Sequence, residues 1–254
     1  MGFTFDGTHS REVGITARLL VWQAGPPLSN VLVAVPGRAG VVDFGARATE
    51  RIITLDCGIR PQAGIAELVG VCDRLAGWLD PGGLGQLVLD DAPDRFWNAR
   101  LSGPVDVERL IRSAGRFPLE FLAPDPYAYA LSDETFTLSG LGNHVVTRTL
   151  GNAGSLPIYQ IKAAIQAGGS VTVATNGEGF AVVGPLNAGE TLVVDAARVT
   201  ARVVNSAGET LRNGLPLLRE LNFPALRAGA NQLHIAASGA VFTELKIIAG
   251  SRWM

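Results

Sequence analysis

Apolar residues recur in short runs along most of this chain, separated by glycine and proline. Val13 to Val21 is the first run and ends before Pro26-Pro27. Val31 to Val35 follows, then a turn over Pro36 to Gly40, then Val41-Val42-Asp43-Phe44-Gly45. Proline presets the first turn angle and glycine accepts positive φ, so this stretch predicts a strand–turn–strand unit. Arg51 to Asp56, rich in Ile, Thr and Leu, predicts another strand. The rhythm then changes. Ile65, Leu68, Val69, Cys72, Leu75, Ala76 and Leu79 recur at three- and four-residue spacing, with Glu67, Asp73 and Arg74 between them. That spacing predicts one amphipathic helix, with Pro61 before it and Pro81-Gly82-Gly83 stopping it.

A hairpin is predicted next. Leu87 to Leu89 leads through a turn over Asp90 to Arg95 into Phe96 to Leu101. A strand pair over Val105 to Leu122 follows. There Phe117, Leu119 and Phe121 alternate with Pro118 and Glu120, the period of a half-buried strand. After the Asp125-Pro126-Tyr127-Ala128-Tyr129 segment the texture is almost purely short strands. These are 157–163, 169–175, 190–196, 198–204, 231–237 and 241–247, with glycines in the turns. Strands at this spacing predict a β-sandwich or jelly roll. The expectation is a mainly β protein of two domains: residues 1–135 with the single helix, and residues 136–254 as a sandwich. The junction falls between about residue 131 and residue 140.

Composition narrows the function. Of 254 residues, 47% are hydrophobic and 17% charged, against roughly 25% charged in an ordinary soluble domain. So apolar a chain is short of solvated surface, which points to a membrane or to other protein subunits. Long uncharged runs such as Val21 to Gly37 are broken by Gly, Pro and Asn, too early for the roughly 20 apolar residues of a membrane helix. The opening segment, Met1 to Arg11, lacks the basic start and apolar core of a secretory signal. Asp6 stands where a myristoylation signal has Ser or Thr. Protein partners are therefore expected, and no membrane insertion. The formal net charge is −2 and the chain has no run of Lys or Arg. Tight nucleic-acid binding is not expected, because it needs cations to displace phosphate counterions.

Catalytic chemistry finds little support. Cys57 and Cys72 are far from any CxxC spacing and read as reduced, buried thiols from a cytoplasmic folding compartment. Asp90, Asp91 and Asp94 form the densest acidic group, but Asp is also a turn former, and the spacing fits no calcium loop. His9, His144 and His234 stand alone. Gly154-Ser155 is no nucleophile elbow, and the glycine clusters at 82–85 and 151–154 match no phosphate loop. Trp78 reads as core. Trp22, Trp97 and Trp253 read as packing or subunit contact, although a carbohydrate-binding platform would also use such residues. No metal, no cofactor and no enzyme activity are expected.

The ordered set of motifs resembles the distal tail protein family of long, flexible-tailed phages. The residues that carry the resemblance begin with Phe3-Thr4-Phe5-Asp6-Gly7. They continue with Val35 to Gly40 followed by Val42 to Gly45, the helix end at Leu75 to Leu79, and the hairpin Leu89 to Phe96. Phe117 to Phe121 with Asp125 to Tyr129 completes the first half. In the second half they are Leu186 to Asp195, Phe223 to Asn231 and Ser251 to Trp253. Ala39 departs from the polar or acidic residue common in the family. The C-terminal half has none of the large insertions that carry sugar-binding modules in some members.

The resemblance implies a structural protein of the virion, at the distal end of the tail. It implies a six-fold ring of N-terminal domains around a channel for DNA, with a galectin-like C-terminal sandwich projecting outward. The implied partners are further copies of the chain, the tail tube protein and the tail hub or tip protein, with receptor-binding proteins at the periphery. Arg38, Asp43, Asp90, Asp91, Asp94 and Arg95 are the candidate interface residues. The alternative function is a carbohydrate-binding module acting in host-surface recognition.

Overall fold

The structure is a computed structural model that describes residues 1–79, 82–111, 114–220 and 222–254. The chain divides into two compact units, Met1–Leu131 (with Met254) and Ser132–Trp253. Both are mainly β.

The strands of the first unit are β1 (Phe3–Phe5), β2 (Thr8–His9), β3 (Ile15–Leu19), β4 (Leu28–Ala34), β5 (Val41–Ala48) and β6 (Arg51–Ile59). After helix α1 (Ile65–Trp78) come β7 (Gly85–Leu89), β8 (Ala92–Leu101), β9 (Glu108–Ile111), β10 (Ala114–Ala123) and β11 (Ala128–Ala130). The main sheet runs β2-β1-β7-β8-β10-β6-β3, with β9 on β10 and β11 on β8. β1 and β2 are joined by Asp6-Gly7, both at positive φ, as a tight hairpin turn requires. Phe117, Leu119 and Phe121 point inward with Pro118 and Glu120 exposed, as their alternation predicts. On β6 the inward set is Arg51, Ile53, Leu55, Cys57 and Ile59.

Helix α1 packs on this sheet, and its range agrees with the spacing. The buried stripe is turned from the one predicted. Leu68, Val71, Leu75 and Leu79 are buried, Ile65 and Val69 are about half exposed, and Ala76 is exposed. The reason is Trp78. Its ring stacks on Phe3 at 5.3 Å between centroids and meets Phe5 edge-on, while its Nε1–H donates to the Phe5 carbonyl at 3.2 Å. Anchoring the last turn there rotates the helix toward the Val71 side. The helix ends at Trp78, with the Leu79 N–H bonded to the Leu75 carbonyl. The predicted stop at Pro81 lies outside the described residues.

The predicted turn over Asp90 to Arg95 is shorter in the structure. Leu89 pairs with Ala92, so only Asp90 and Asp91 turn the chain. Asp94 and Arg95 already belong to β8, where Arg95 pairs with Ala130 of β11. Strand pairing beyond the hairpin pulls these residues into the sheet.

The second unit contains β12 (Thr135–Leu138), β13 (Gly142–Arg148), β14 (Ile158–Thr175), β15 (Glu178–Val183), β16 (Thr191–Asp195), β17 (Thr200–Val204) and β18 (Thr210–Asn213). β19 (Leu218–Arg219), β20 (Gly229–Ile248) and β21 (Arg252–Trp253) follow. Two pairs of predicted strands turn out to be single long ones. β14 joins 157–163 to 169–175, and β20 joins 231–237 to 241–247. The two run antiparallel along their lengths, with a register break between Ile165 and Ser170. The first half of β14 pairs with β16, and the second half with β15. Likewise the start of β20 pairs with β13 and its end with β12. The two long strands thus pass through both layers of the sandwich. Between the layers lies one apolar core, including Tyr159, Ile161, Val171, Val173, Phe180, Leu192, Leu245 and Ile247.

The motifs of the second half hold this unit together. In the Leu186-to-Asp195 stretch, Leu186 and Leu192 are buried. Glu190 takes a bidentate pair from Arg212, both contacts at 2.7 Å, and further bonds from the Asn187 backbone and side chain. In the Phe223-to-Asn231 stretch, the buried Asn231 amide satisfies all four of its bonding positions. Its oxygen accepts from Arg227 N–H and Asn176 Nδ2, and its Nδ2 donates to the Arg227 and Gly229 carbonyls.

Arg212 and Asn187 hold the Glu190 carboxyl down to about 2. Its folded pKa lies below its unfolded one, so the stabilisation is complete above the unfolded pKa and is lost as pH falls from about 4.5 toward about 2. Glu190→Gln should cost about 2 kcal/mol at pH 7 after allowance for solvent screening. It should also flatten the acid side of the stability profile in that window. Urea unfolding from pH 2 to pH 7 measures both effects.

Candidate interaction surface

Strands β4 and β5 pair only with each other. Their connection is a turn in which Arg38 N–H donates to the Val35 carbonyl at 3.1 Å, with Pro36 second and Gly37 third at φ +78°. Proline at the second position and a positive φ at the third define a type II turn. The hairpin is rich in large apolar side chains, and both of its faces are exposed. Phe44 is 68% exposed, Leu28 64% and Val41 54%; Val31, Leu32, Val33 and Val35 are exposed as well. Leu20, Val21 and Trp22, just ahead of it in the chain, are exposed too. An isolated two-stranded hairpin is marginal in water, and a contiguous apolar surface of this kind marks a contact with another protein.

The candidate residues fall into two groups. Arg38 and Asp43 are on the hairpin, both exposed. Asp43 Oδ1 accepts from the Gly45 N–H at 2.8 Å. Asp90, Asp91, Asp94 and Arg95 are at the β7–β8 connection. There Asp90 is engaged within the chain, by His9 Nε2 at 3.1 Å and more loosely by Arg11 and the N-terminal amine. Arg95 grips its neighbour Asp94 through two bonds of 3.0 Å and holds that carboxyl below its usual range. Asp91 is exposed at the turn.

The fold also assembles a feature that linear order conceals. Arg18 on β3 and Arg116 on β10 both bond Asp56 on β6, at 2.7–2.8 Å. Arg116 first, then Arg18, lowers the Asp56 carboxyl, and Asp56 in turn raises Arg116. Arg60 lies beside them, and the group lines a shallow concavity of about 430 Å³. Arg18 from β3, Arg116 from β10 and Arg60 just past the end of β6 line this one concavity although the chain has no basic run. Strand alternation on neighbouring β3, β6 and β10 is the only sequence signal that could have found them.

Among the described residues, no group of three His, Cys, Asp or Glu side chains could hold a metal ion, and no helix is long and apolar enough to cross a membrane. Cys57 is buried, which pushes its thiol up to about 12, and Cys72 is half-buried. His234 bonds Asn143 at 2.8 Å and His144 bonds the Gly140 carbonyl at 2.8 Å. The concavity of about 450 Å³ beside them has no aromatic residue in its lining. Elsewhere in this unit Tyr159 and Phe180 are fully buried, while Phe136, Phe223 and Phe242 pack on the core.

Residues 18–123 match the family described as the phage tail protein RIFT-related domain. This stretch of the first unit is therefore similar to a phage tail domain. Over its whole length the chain has the fold of the Dit protein of phage SPP1, whose crystal structure is described as a paradigm of the hub adsorption apparatus in phages infecting Gram-positive hosts. That match has a TM-score of 0.78 at 14% identity and covers 100% of this chain and 99% of the other. The activated baseplate of phage p2 with strontium also matches, at a TM-score of 0.48 and 12% identity, over 96% of this chain and 97% of the other. No match is found among curated proteins. The phage tail domain and the whole-chain fold bear out the resemblance to the distal tail protein family.

Proposed function

We propose that this protein is a structural, non-catalytic component of the phage tail tip. In this reading it forms a six-fold ring that joins the tail tube to the tail-tip hub and leaves a channel for DNA. The observation that carries the proposal is the β4–β5 hairpin, whose apolar residues are exposed on both faces and are explained by contact with another subunit. A ring needs two different surfaces that meet head to tail, and a projecting hairpin supplies one of them. The phage tail domain over 18–123 and the distal-tail fold support the same reading.

Residues 1–135 form the ring, and residues 136–254 are a separate β-sandwich unit. The tail tube protein contacts one side and the hub or tip protein the other, with receptor-binding proteins at the periphery. The protein folds in the host cytoplasm and functions in the virion. Arg38, Asp43, Asp90, Asp91, Asp94 and Arg95 remain the candidate contact residues. Arg38 and Asp43 have the stronger claim, because they ride on the exposed hairpin. Carbohydrate binding by the second unit has no comparable support: three concavities among its described residues have no Trp, Tyr or Phe in their linings.

Light scattering and negative-stain images of the purified chain test the proposal. Six-fold rings are the expected result. Arg38→Glu should leave the monomer folded and weaken assembly; rings unchanged by it would remove Arg38 from the interface.

A further inference from the structure

Among the described residues two arginines are buried, and they differ in how they are satisfied. Arg148, 1% exposed, donates to the Arg227 carbonyl from Nε and to the Ala153 carbonyl from Nη2, leaving only Nη1 without a partner. Arg51, 4% exposed at the start of β6, points to the same side as Ile53 and Leu55. Neither its Nε nor its Nη2 meets an acceptor among the described residues. Trp97 Nε1 and Gln23 Oε1 are also buried without a partner. These three side chains line one cavity, with about 20 Å³ of free space. That is room for a single oxygen-sized group.

A buried guanidinium with no acceptor is among the costliest arrangements a fold can keep. Three unpartnered N–H donors belong to two residues that line one small cavity, and the Gln23 amide, on the same lining, can turn to offer a fourth. This donor set fits one oxygen of a carboxylate. The cavity is bordered by Val21 and Trp22, both more than half exposed, and Trp22 meets Trp97 edge-on at 6.5 Å. A buried cationic spot inside an exposed apolar rim is the complement of an acid set among exposed apolar residues.

The hairpin has that composition. Between Leu28 and Ala48 the only acidic residue is Asp43, with exposed Val41 on the same face and exposed Leu32 paired opposite it. Its Oδ1 is used by the Gly45 N–H, which leaves Oδ2 available. We infer that the Arg51 cavity is a docking site for the hairpin of a second copy of this chain, completed by the Asp43 carboxylate of that copy. The inference rests on the ring reading above and assigns its head-to-tail contact: hairpin of one subunit, Arg51 cavity of the next. Trp22 and Val21 cover Val41 and Leu32, which share the face of Asp43.

The test is self-association of the full chain by sedimentation across a concentration series, for wild type, Asp43→Asn, Arg51→Met and the double variant. Asp43→Asn changes only an exposed side chain, so it stays interpretable even if Arg51→Met disturbs folding; thermal melts report that separately. Each single variant should weaken association about tenfold or more, and the double variant should be no weaker than the worse single one. Asp43→Asn that assembles like wild type, or losses that add in the double variant, would overturn the cavity assignment and leave the ring reading standing. A wild-type chain that stays monomeric throughout the series would overturn both.

Discussion

Phe44→Asp combined with Val33→Asp should abolish self-association and leave a folded monomer. Phe44 is 68% exposed and Val33 is also exposed, and their strands pair with nothing but each other. The monomer loses no buried contact, so its stability should move by no more than about 0.5 kcal/mol. In an assembled ring the same residues would be covered. Removing an apolar anchor from an interface centre costs roughly 2–4 kcal/mol, or a factor of about 30 to 1000 in the association constant. An added carboxylate facing apolar surface adds a desolvation penalty. Because a ring closes only when every junction forms, the loss at each junction multiplies. Light scattering and negative-stain images would show particles of monomer mass, and circular dichroism would show an unchanged melt. Rings as abundant as in wild type would mean that the hairpin is not the subunit contact.

Gly169→Ala is expected to have the largest effect on the fold itself. The long strands β14 and β20 change layers together at their register break, where Gly169 faces Gly239. A Cβ on Gly169 would lie 2.2 Å from the Gly239 carbonyl oxygen and 3.0 Å from that of Ser238. Both obstacles are backbone, so no side-chain rotation relieves them. The strands would have to separate where they hold the two layers together. A cost of about 3 kcal/mol or more is expected, in the upper range for overpacking a closed site. Differential scanning calorimetry of the full chain measures it. Gly177, which has open space around its missing Cβ but lies at φ +90°, should cost about 1 kcal/mol when changed to Ala. Equal losses at the two sites would argue that conformational freedom matters at Gly169 more than close approach.

Local elements were readable wherever local chemistry decides them. Alternation placed Phe117, Leu119 and Phe121 inward, three- and four-residue spacing bounded the helix, and Pro36 with Gly37 set the hairpin turn. Reading failed where a distant contact intervened. The helix stripe turned because Trp78 found Phe3 and Phe5, about seventy positions away in the chain. Asp94 and Arg95 joined a strand because β11 paired beside them. Gly168-Gly169 read as a turn between strands, since a turn and a bulge use the same residue for the same freedom.

The candidate surface divides the same way. That the chain is mainly β, holds one helix and has too little charge for its size follows from the amino-acid sequence, because periodicity and composition are local or additive properties. Which apolar strand is covered is neither. Val31 to Val35 and Arg51 to Leu55 are both strand-forming runs, yet the first is exposed on both faces while the second buries Ile53, Leu55 and an arginine. Burial depends on whether another layer packs over a strand, and only the tertiary arrangement decides that.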